Sequence, residues 1–215
     1  MAAEYTTAAG RMEDDGWSLP GTVWIEGDSL APPCGSEPYM VTRIVEMARL
    51  QRSDVVFDLG CGDGRVCIAA AEASGCEAVG VELEKELVAK ARVQIAAKGL
   101  GTRVTITQGD LLELDLSRAT CIVIYLLPEA MEVLKPTLRE CLSRGVRIIS
   151  QQWGIKGFEP SSCVSEYVDG YNVLLNMYEG MGCVKEADGD SCSAAPGKAA
   201  SGKAALAPVD QSKQE

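Results

Sequence analysis

Residues 55–65 read VVFDLGCGDGR, and this stretch decides the fold that the sequence predicts. Its apolar first half is typical of a buried strand, which runs into a glycine-rich turn at residues 60–64. A helical pattern begins directly afterwards at Arg65. In an open α/β sheet this turn lies at the carboxyl end of the first strand, where such sheets bind ligands. Its glycines let the backbone approach a ligand closely.

The spacing within the turn excludes two common phosphate-binding sites. A dinucleotide fingerprint needs a small residue three positions after its second glycine, and Arg65 stands at that place. A P-loop needs Gly-Lys followed by Ser or Thr, and no such sequence follows the turn. The turn therefore indicates a ligand that does not bind through a phosphate group.

Strands and helices alternate regularly around this turn. Ser36 is a suitable N-cap for a first helix, with Pro38 in its first turn. The patterns predict strands at Asp54–Leu59, Ala78–Leu83, Val104–Gln108, Thr120–Leu127 and Val146–Gln152. They predict helices at Arg65–Ser74, Glu84–Lys98 and Pro128–Leu142, the last of them broken or kinked around Pro136.

The alternation ends with a predicted hairpin of Cys163–Val168 and Tyr171–Tyr178, joined by Asp169-Gly170. We therefore expect an α/β fold, with a doubly wound, mostly parallel seven-stranded sheet and a C-terminal antiparallel hairpin. Residues 34–182 would form this domain. Residues 1–33 would be an acidic N-terminal extension, and residues 183–215, which have no apolar period, a disordered tail.

Composition excludes several classes of function. The 215 residues include no histidine, which removes Ser–His–Asp catalysis and histidine metal sites. Nine cysteines without a Cys-x-x-Cys pair indicate free thiols in a reducing compartment rather than a disulfide framework or a metal site. A net charge of −11 disfavours a nucleic-acid partner. With no apolar run long enough to span a membrane, we expect a cytoplasmic protein.

Two further acidic positions lie in register with the glycine turn. Glu82 lies at the end of the second predicted strand, just before Leu83, and an acid about 20 residues past such a turn binds the ribose hydroxyls of a nucleoside. Asp110 and Leu111 follow the third predicted strand. The three strand ends together predict a nucleoside-containing ligand.

The pattern Asp-x-Gly-x-Gly-x-Gly resembles motif I of the class I S-adenosylmethionine-dependent methyltransferases. The resemblance implies S-adenosylmethionine as cofactor, with Asp58 suited to its ammonium group and Asp110 to the adenine amino group. The cofactor-binding residues implied in this way are Asp58, Gly60, Gly62, Gly64, Glu82, Asp110 and Leu111.

Residues 34–178 are more specifically similar to a group of small protein-lysine methyltransferases. The similarity rests on Pro38-Tyr39, the glycine turn, residues 119–128 (which include Tyr-Leu-Leu-Pro) and residues 147–150. This group includes enzymes acting on mitochondrial carrier and ATP synthase subunits, together with bacterial relatives. The resemblance implies methylation of a lysine amine on a protein. A small-molecule N- or O-methyltransferase and a non-catalytic S-adenosylmethionine-binding partner subunit are the alternatives.

Four residues are candidates for the acceptor side of such a site. Tyr125, after the fourth strand, would be catalytic, or else a half-buried core tyrosine. Tyr39, Pro128 and Trp153 would bind the substrate, although core packing is the favoured interpretation of Trp153. Tyr-Leu-Leu-Pro stands where enzymes that methylate nucleobase amines have Asn-Pro-Pro-Tyr, which argues against a nucleic-acid acceptor.

Overall fold

The computed structural model describes residues 35–168 and 171–184. These residues contain seven strands and four α-helices. The helices are α1 (Pro38–Ala48), α2 (Arg65–Ser74), α3 (Lys85–Ala97) and α4 (Pro128–Ser143). The strands are β1 (Val55–Leu59), β2 (Glu77–Glu82), β3 (Val104–Gln108), β4 (Cys121–Ile124), β5 (Arg147–Gln151), β6 (Ser162–Val168) and β7 (Tyr171–Tyr178).

The strands form one sheet in the order β3-β2-β1-β4-β5-β7-β6. The first five strands in sequence are parallel, β7 is antiparallel to β5, and β6 is antiparallel to β7. After β1 the chain moves outward to β2 and β3 and then returns to β4 on the other side of β1. The order of the strands therefore reverses between β1 and β4, and open α/β sheets bind ligands at the carboxyl ends of the strands at that point. The predicted fold class is confirmed.

Two apolar clusters cover the faces of the sheet. Helices α1, α2 and α3 pack on one face, where Ile44, Ile68 and Val88 are buried. Helix α4 packs on the other face through Met131 and Leu138. The parallel strands between the two layers are buried on both sides, which explains why β4 consists of four apolar residues in succession. No helix among the described residues is long and apolar enough to cross a membrane.

The fourth strand is shorter than its apolar sequence predicts. The prediction ran from Thr120 to Leu127, whereas β4 ends at Ile124, which pairs with Ser150 in β5. Residues 125–127 instead lead into α4, which begins at Pro128. The apolar composition of a segment does not predict the residue at which its hydrogen bonds to the neighbouring strand end.

Of the two predicted alternatives at Pro136, a break or a kink, the break is wrong, since α4 is a single helix that passes through this residue. Proline lacks an N–H group and leaves the carbonyl four residues earlier, that of Glu132, without its helical partner. Both residues are exposed, so water can hydrogen-bond that carbonyl. The apolar face of α4 lies on the opposite side and packs without interruption.

The ends of the domain differ in detail from the predicted boundaries. Cys183 is buried in the α4 side of the core, and Val184 forms an isolated bridge with Phe158, so both residues pack on the domain. The predicted pairing of β6 with β7 is confirmed, although its turn at residues 169–170 lies outside the described residues. The predicted extension at residues 1–33 and the tail from residue 185 onward also lie outside them.

Candidate active site

The glycine turn after β1 is held on the end of β2. The N–H groups of Gly60 and Cys61 both donate to the Val81 carbonyl, at 3.0 and 2.9 Å. Gly60, Gly62 and Gly64 all have positive φ angles, between 54° and 80°, which explains the three predicted glycines. A Cβ atom on Gly62 would meet no atom within 4 Å, so this part of the turn faces open space.

Glu82 reaches this turn from the last position of β2. One of its carboxylate oxygens accepts a hydrogen bond from the Gly62 N–H at 2.8 Å. The other accepts from the N–H groups of Leu83 and Glu84, at 2.8 and 3.0 Å. A ligand ribose would share these oxygens with the backbone donors. Glu82 therefore both shapes the turn and supplies the acceptor that the sequence predicts there.

Asp58 lies beneath the turn in β1, with 5% of its surface exposed. Burial, followed by the charges of Glu82 and Asp63, raises the pKa of its carboxyl group to about 7. Among the described residues it forms no salt bridge, and its one hydrogen-bonding contact is from the Cys67 thiol at 4.0 Å. A ligand ammonium group would stabilise the charged form of Asp58.

A second buried carboxylate in the turn was not predicted from the sequence. Asp63 forms a bidentate pair with Arg65, with two N···O distances of 2.9 Å, and lies 3.6 Å from the Lys90 ammonium of α3. These cations compensate its charge and fix the turn between α2 and α3. The sequence signal that could have predicted this pair is an acid, Asp63, two residues before an arginine, Arg65, at the start of a predicted helix.

Asp110 and Leu111 lie just beyond the end of β3, at the same edge of the sheet. The Asp110 carboxylate accepts a hydrogen bond from the Leu112 N–H at 2.8 Å and so caps a short 3₁₀ turn. Asp110 is exposed and Leu111 is partly buried. The register of β2 with β3 places Glu82 opposite Gln108, two residues before Asp110. The structure thus brings the predicted cofactor residues to neighbouring strand ends.

Tyr125 and Pro128 follow β4 at this edge. Tyr125 is half-buried, and Pro128, at the first position of α4, is exposed. Since Ile124 pairs with Ser150, Tyr125 comes opposite the end of β5, next to Gln151. Both predicted residues therefore border the carboxyl edge of the sheet.

Trp153 is 41% exposed, so the favoured prediction that it packs in the core is wrong. It follows Gln152, whose φ of 66° is rare for a residue other than glycine. The turn is held by the Trp153 N–H donating to the Gln151 carbonyl at 2.8 Å, and by the Ser150 hydroxyl donating to the Trp153 carbonyl. This local arrangement turns the chain away from the core immediately after β5.

Helix α1 begins at the same edge. Ser36 is not its N-cap as predicted, because that position belongs to Glu37, which makes no side-chain cap bond. The Ser36 hydroxyl instead donates to the Gln151 side-chain oxygen at 2.7 Å, and both residues are buried. Tyr39, in the first turn of α1, is 40% exposed.

Comparison with known proteins identifies the family. Residues 58–162 match the model of the ANTKMT methyltransferase domain. A protein-lysine N-methyltransferase of Saccharolobus islandicus is 36% identical over 140 residues, which cover 65% of this chain and 87% of that protein. The chain belongs to the same methyltransferase family as this archaeal protein.

Two animal relatives are longer than this chain. A Xenopus laevis protein, named as a lysine N-methyltransferase for an ATP synthase component, is 33% identical over 60% of this chain and 56% of its own length. The adenine nucleotide translocase lysine N-methyltransferase of Mus musculus is 28% identical over 64% of this chain and 60% of its own length. The chain therefore spans somewhat more than half of these relatives.

A solved structure shows the same fold with a bound ligand. An RNA methyltransferase of Salinibacter ruber, in complex with S-adenosyl-L-homocysteine, is 33% identical and has a TM-score of 0.64, covering 73% of this chain and 98% of its own. This chain is thus an S-adenosylmethionine-dependent methyltransferase with a Rossmann-like fold. The open space at Gly62 and the Asp58 carboxyl without a cationic partner fit that cofactor. Within the described ranges no three His, Cys, Asp or Glu side chains could hold a metal ion.

Proposed function

We propose that this chain methylates the side-chain amine of a lysine residue in a protein. The observation that carries the proposal is the 36% identity with an archaeal protein-lysine N-methyltransferase over 87% of that protein. The two animal relatives are also named for lysine methylation. The Tyr-Leu-Leu-Pro sequence at the end of β4 agrees with this proposal.

The methyl donor, S-adenosylmethionine, would lie along the carboxyl ends of β1, β2 and β3. In this assignment Asp58 faces the ammonium group and Glu82 the ribose. Asp110 and Leu111 face the adenine, while Gly60, Gly62 and Gly64 keep the turn clear of side chains. The positive φ angles of the glycines and the open space at Gly62 support it. When bound, S-adenosylmethionine supplies an activated methyl group on a sulfonium.

The acceptor would enter between the ends of β4 and β5. Tyr125, Pro128 and Trp153 border this region, and Tyr39 lies on the helix that Ser36 connects to Gln151. A lysine amine must lose its proton before it attacks, and aromatic walls that exclude water lower the pKa of the amine. The sequence has no histidine to act as the base. The Tyr125 hydroxyl would orient the neutral amine.

The distribution of charge supports a cationic acceptor. The site lies at the carboxyl edge of the sheet, which carries more acids than bases when the paired residues Asp63, Arg65 and Lys90 are left aside. The acids there are Glu37, Glu84, Asp110, Glu113 and Glu129, and the bases are Lys85 and Lys156. The loops at the amino edge carry Arg49, Arg52, Arg103, Arg118 and Arg144, of which Arg49 pairs with Glu179 and Arg118 with Glu77. Such an arrangement attracts a basic segment to the site and repels a phosphate backbone.

An RNA acceptor is the second candidate, since the Salinibacter ruber relative is named an RNA methyltransferase. The acids at the carboxyl edge of the sheet, described above, disfavour it.

We also propose a cytosolic location, which the free thiols of the seven described cysteines support.

The acceptor class is tested with methyl-labelled S-adenosylmethionine and a fractionated cell lysate. We expect label in the protein fraction, whereas label confined to RNA or to small molecules would contradict the proposal. Gly62→Val serves as the donor-site control, because its side chain would occupy the open space at the turn. Gly99→Val is the matched variant, since Gly99 also has a positive φ, of 67°, and open space around it, but follows α3 at the opposite edge.

The role of Tyr125 has its own test. Tyr125→Phe keeps the aromatic ring and removes the hydroxyl, so turnover should fall more than the affinity for S-adenosylhomocysteine. Steady-state kinetics and calorimetry measure the two quantities separately. Unchanged turnover would leave Tyr125 with a packing role alone.

A further inference from the structure

Arg65, the residue that distinguishes this turn from a dinucleotide fingerprint, connects two segments of the site. Its side chain is 13% exposed. Its guanidinium group donates two hydrogen bonds of 2.9 Å to Asp63 in the glycine turn (residues 60–64), which we call the donor turn because the methyl donor is assigned to it. It also donates to the Ser36 carbonyl at 2.6 Å. One planar group therefore joins the start of α2 to the segment that enters α1.

That segment, residues 35–37, is fitted closely to the arginine. A Cβ atom on Gly35 would lie 2.9 Å from both Cζ and Nη2 of Arg65, so the glycine backbone packs directly against the guanidinium group. The next residue, Ser36, donates through its hydroxyl to Gln151 at 2.7 Å. Residues 35–37 are thus held between α2 and the end of β5.

The contacts form a continuous polar chain along the carboxyl edge of the sheet. It runs from Lys90 through Asp63 and Arg65 to Ser36 and Gln151. Its first members hold the donor turn. Its last member, Gln151, lies next to the end of β4. Gln151 also precedes the left-handed residue Gln152, after which the Trp153 side chain is exposed.

We propose that Arg65 is a positioning residue for methyl transfer, which aligns the acceptor side of the site with the donor turn through residues 35–37. It contacts neither donor nor acceptor. The proposal rests on the proposed function for the place of the acceptor, between the ends of β4 and β5. A lysine at this position would keep the charge but lacks the planar fork that reaches Asp63 and Ser36 together.

The first measurement is hydrogen exchange in the full-length chain. Arg65→Lys and Ser36→Ala should each accelerate exchange of the hydrogen-bonded amides at residues 41–43 by about tenfold, because the start of α1 loses an anchor. Arg118→Lys is the control, since Arg118 forms an exposed ion pair with Glu77 at the opposite edge. Exchange rates that equal those of the wild type in both test variants would overturn the proposal.

The second measurement separates positioning from donor binding. With saturating labelled S-adenosylmethionine and the lysate fraction that the wild type labels, turnover of both test variants should fall about tenfold to a hundredfold. The Kd for S-adenosylhomocysteine should stay within about threefold of the wild-type value, because no donor contact is removed and Lys90 still pairs with Asp63 in the turn. Arg118→Lys should match the wild type in both quantities.

The outcomes distinguish the possible failures. Faster exchange with unchanged turnover would make Arg65 a structural residue only, and a parallel loss of donor affinity would mean that it acts through the donor site. Either result overturns the positioning role. If the wild type labels RNA rather than protein, the lysine assignment fails, and the same turnover comparison on RNA still decides the role of Arg65.

Discussion

At the scale of single residues, the Asp58 carboxyl group sets the electrostatics of the donor site. Burial and two neighbouring acids raise its pKa to about 7. A buried acid without a cationic partner is unfavourable in its charged form, and a bound ammonium group would remove part of that penalty. Asp58 is therefore expected to lose its proton when the donor binds.

This coupling predicts a pH-dependent affinity. Below pH 7 the free protein holds a proton on Asp58 that the complex releases, so the affinity for S-adenosylhomocysteine should rise with pH from about 5.5 to 7, by up to tenfold per unit. Above pH 7 the rise should level off. Calorimetry in buffers of different ionisation enthalpy measures both affinity and proton release. The Asp58→Asn variant should bind weakly with a flat profile over this range, and a wild-type slope in that variant would contradict the account.

Glu82 provides a second test at this scale. Glu82→Ala removes the acceptor assigned to the ribose and the bond that orients the Gly62 N–H, which should weaken S-adenosylhomocysteine binding by about 2–4 kcal/mol. Glu86→Gln, an exposed change on α3, is the matched control and should bind like the wild type. Equal affinity of Glu82→Ala and the control would show that another residue holds the ribose.

At the scale of elements, the contact between the donor turn and β2 depends on a glycine inside the strand. A Cβ atom on Gly80 would lie 2.6 Å from both the Cys61 sulfur and the Ile106 Cδ1 atom. The turn can pack on β2 only because this position has no side chain.

Gly80→Ala should therefore destabilise the protein by about 1–3 kcal/mol through overpacking. Gly101→Ala is the control, because a Cβ there meets no atom within 4 Å, and its effect should stay within about 0.5 kcal/mol. Urea unfolding of both variants measures the difference. A free energy of unfolding for Gly80→Ala that matches the control would mean that the turn does not need this close approach.

The sequence predicted elements well wherever local pattern and tertiary packing agree. The bounds of α2 and β7 were predicted correctly, since Gly64 and Gly75 delimit the helix and the turn signal Asp169-Gly170 marks where the strand begins. Apolar residues continued past the end of β4, where Leu126 is buried in the cluster on the α4 side rather than paired in the sheet. Ser36 resembled an N-cap locally, yet its hydroxyl binds Gln151, which is 115 residues away in sequence.

The candidate site was predictable to the extent that it follows from strand ends. Asp58, Glu82 and Asp110 were found because carboxyl ends of parallel strands meet at one edge. The buried pairing of Asp63 with Arg65 and Lys90 was missed, because Lys90 approaches from a different helix. The exposure of Trp153 was missed because it depends on the left-handed backbone of Gln152, which sequence pattern does not reveal.

At the scale of the whole molecule, the extent of the folded domain can be tested by truncation. Cys183 is buried, and its carbonyl accepts a hydrogen bond from the Glu159 N–H at 2.6 Å. Truncation after Val184 keeps these contacts and is expected to leave the free energy of unfolding within about 0.5 kcal/mol of the wild type. Truncation after Gly182 removes them and should cost about 1–3 kcal/mol. Thermal melts of the two forms that coincide would show that these contacts do not stabilise the domain.

The most direct test of the whole account is the chemical identity of the methylated group. Protein labelled by the wild-type chain with methyl-labelled S-adenosylmethionine is hydrolysed in acid, and its amino acids are separated by chromatography. We predict that the label elutes with Nε-methylated lysine and that Gly62→Val, which obstructs the donor turn, yields none. Label recovered on another amino acid, or equal labelling by Gly62→Val, would contradict a lysine acceptor at the edge formed by Asp58, Glu82 and Tyr125.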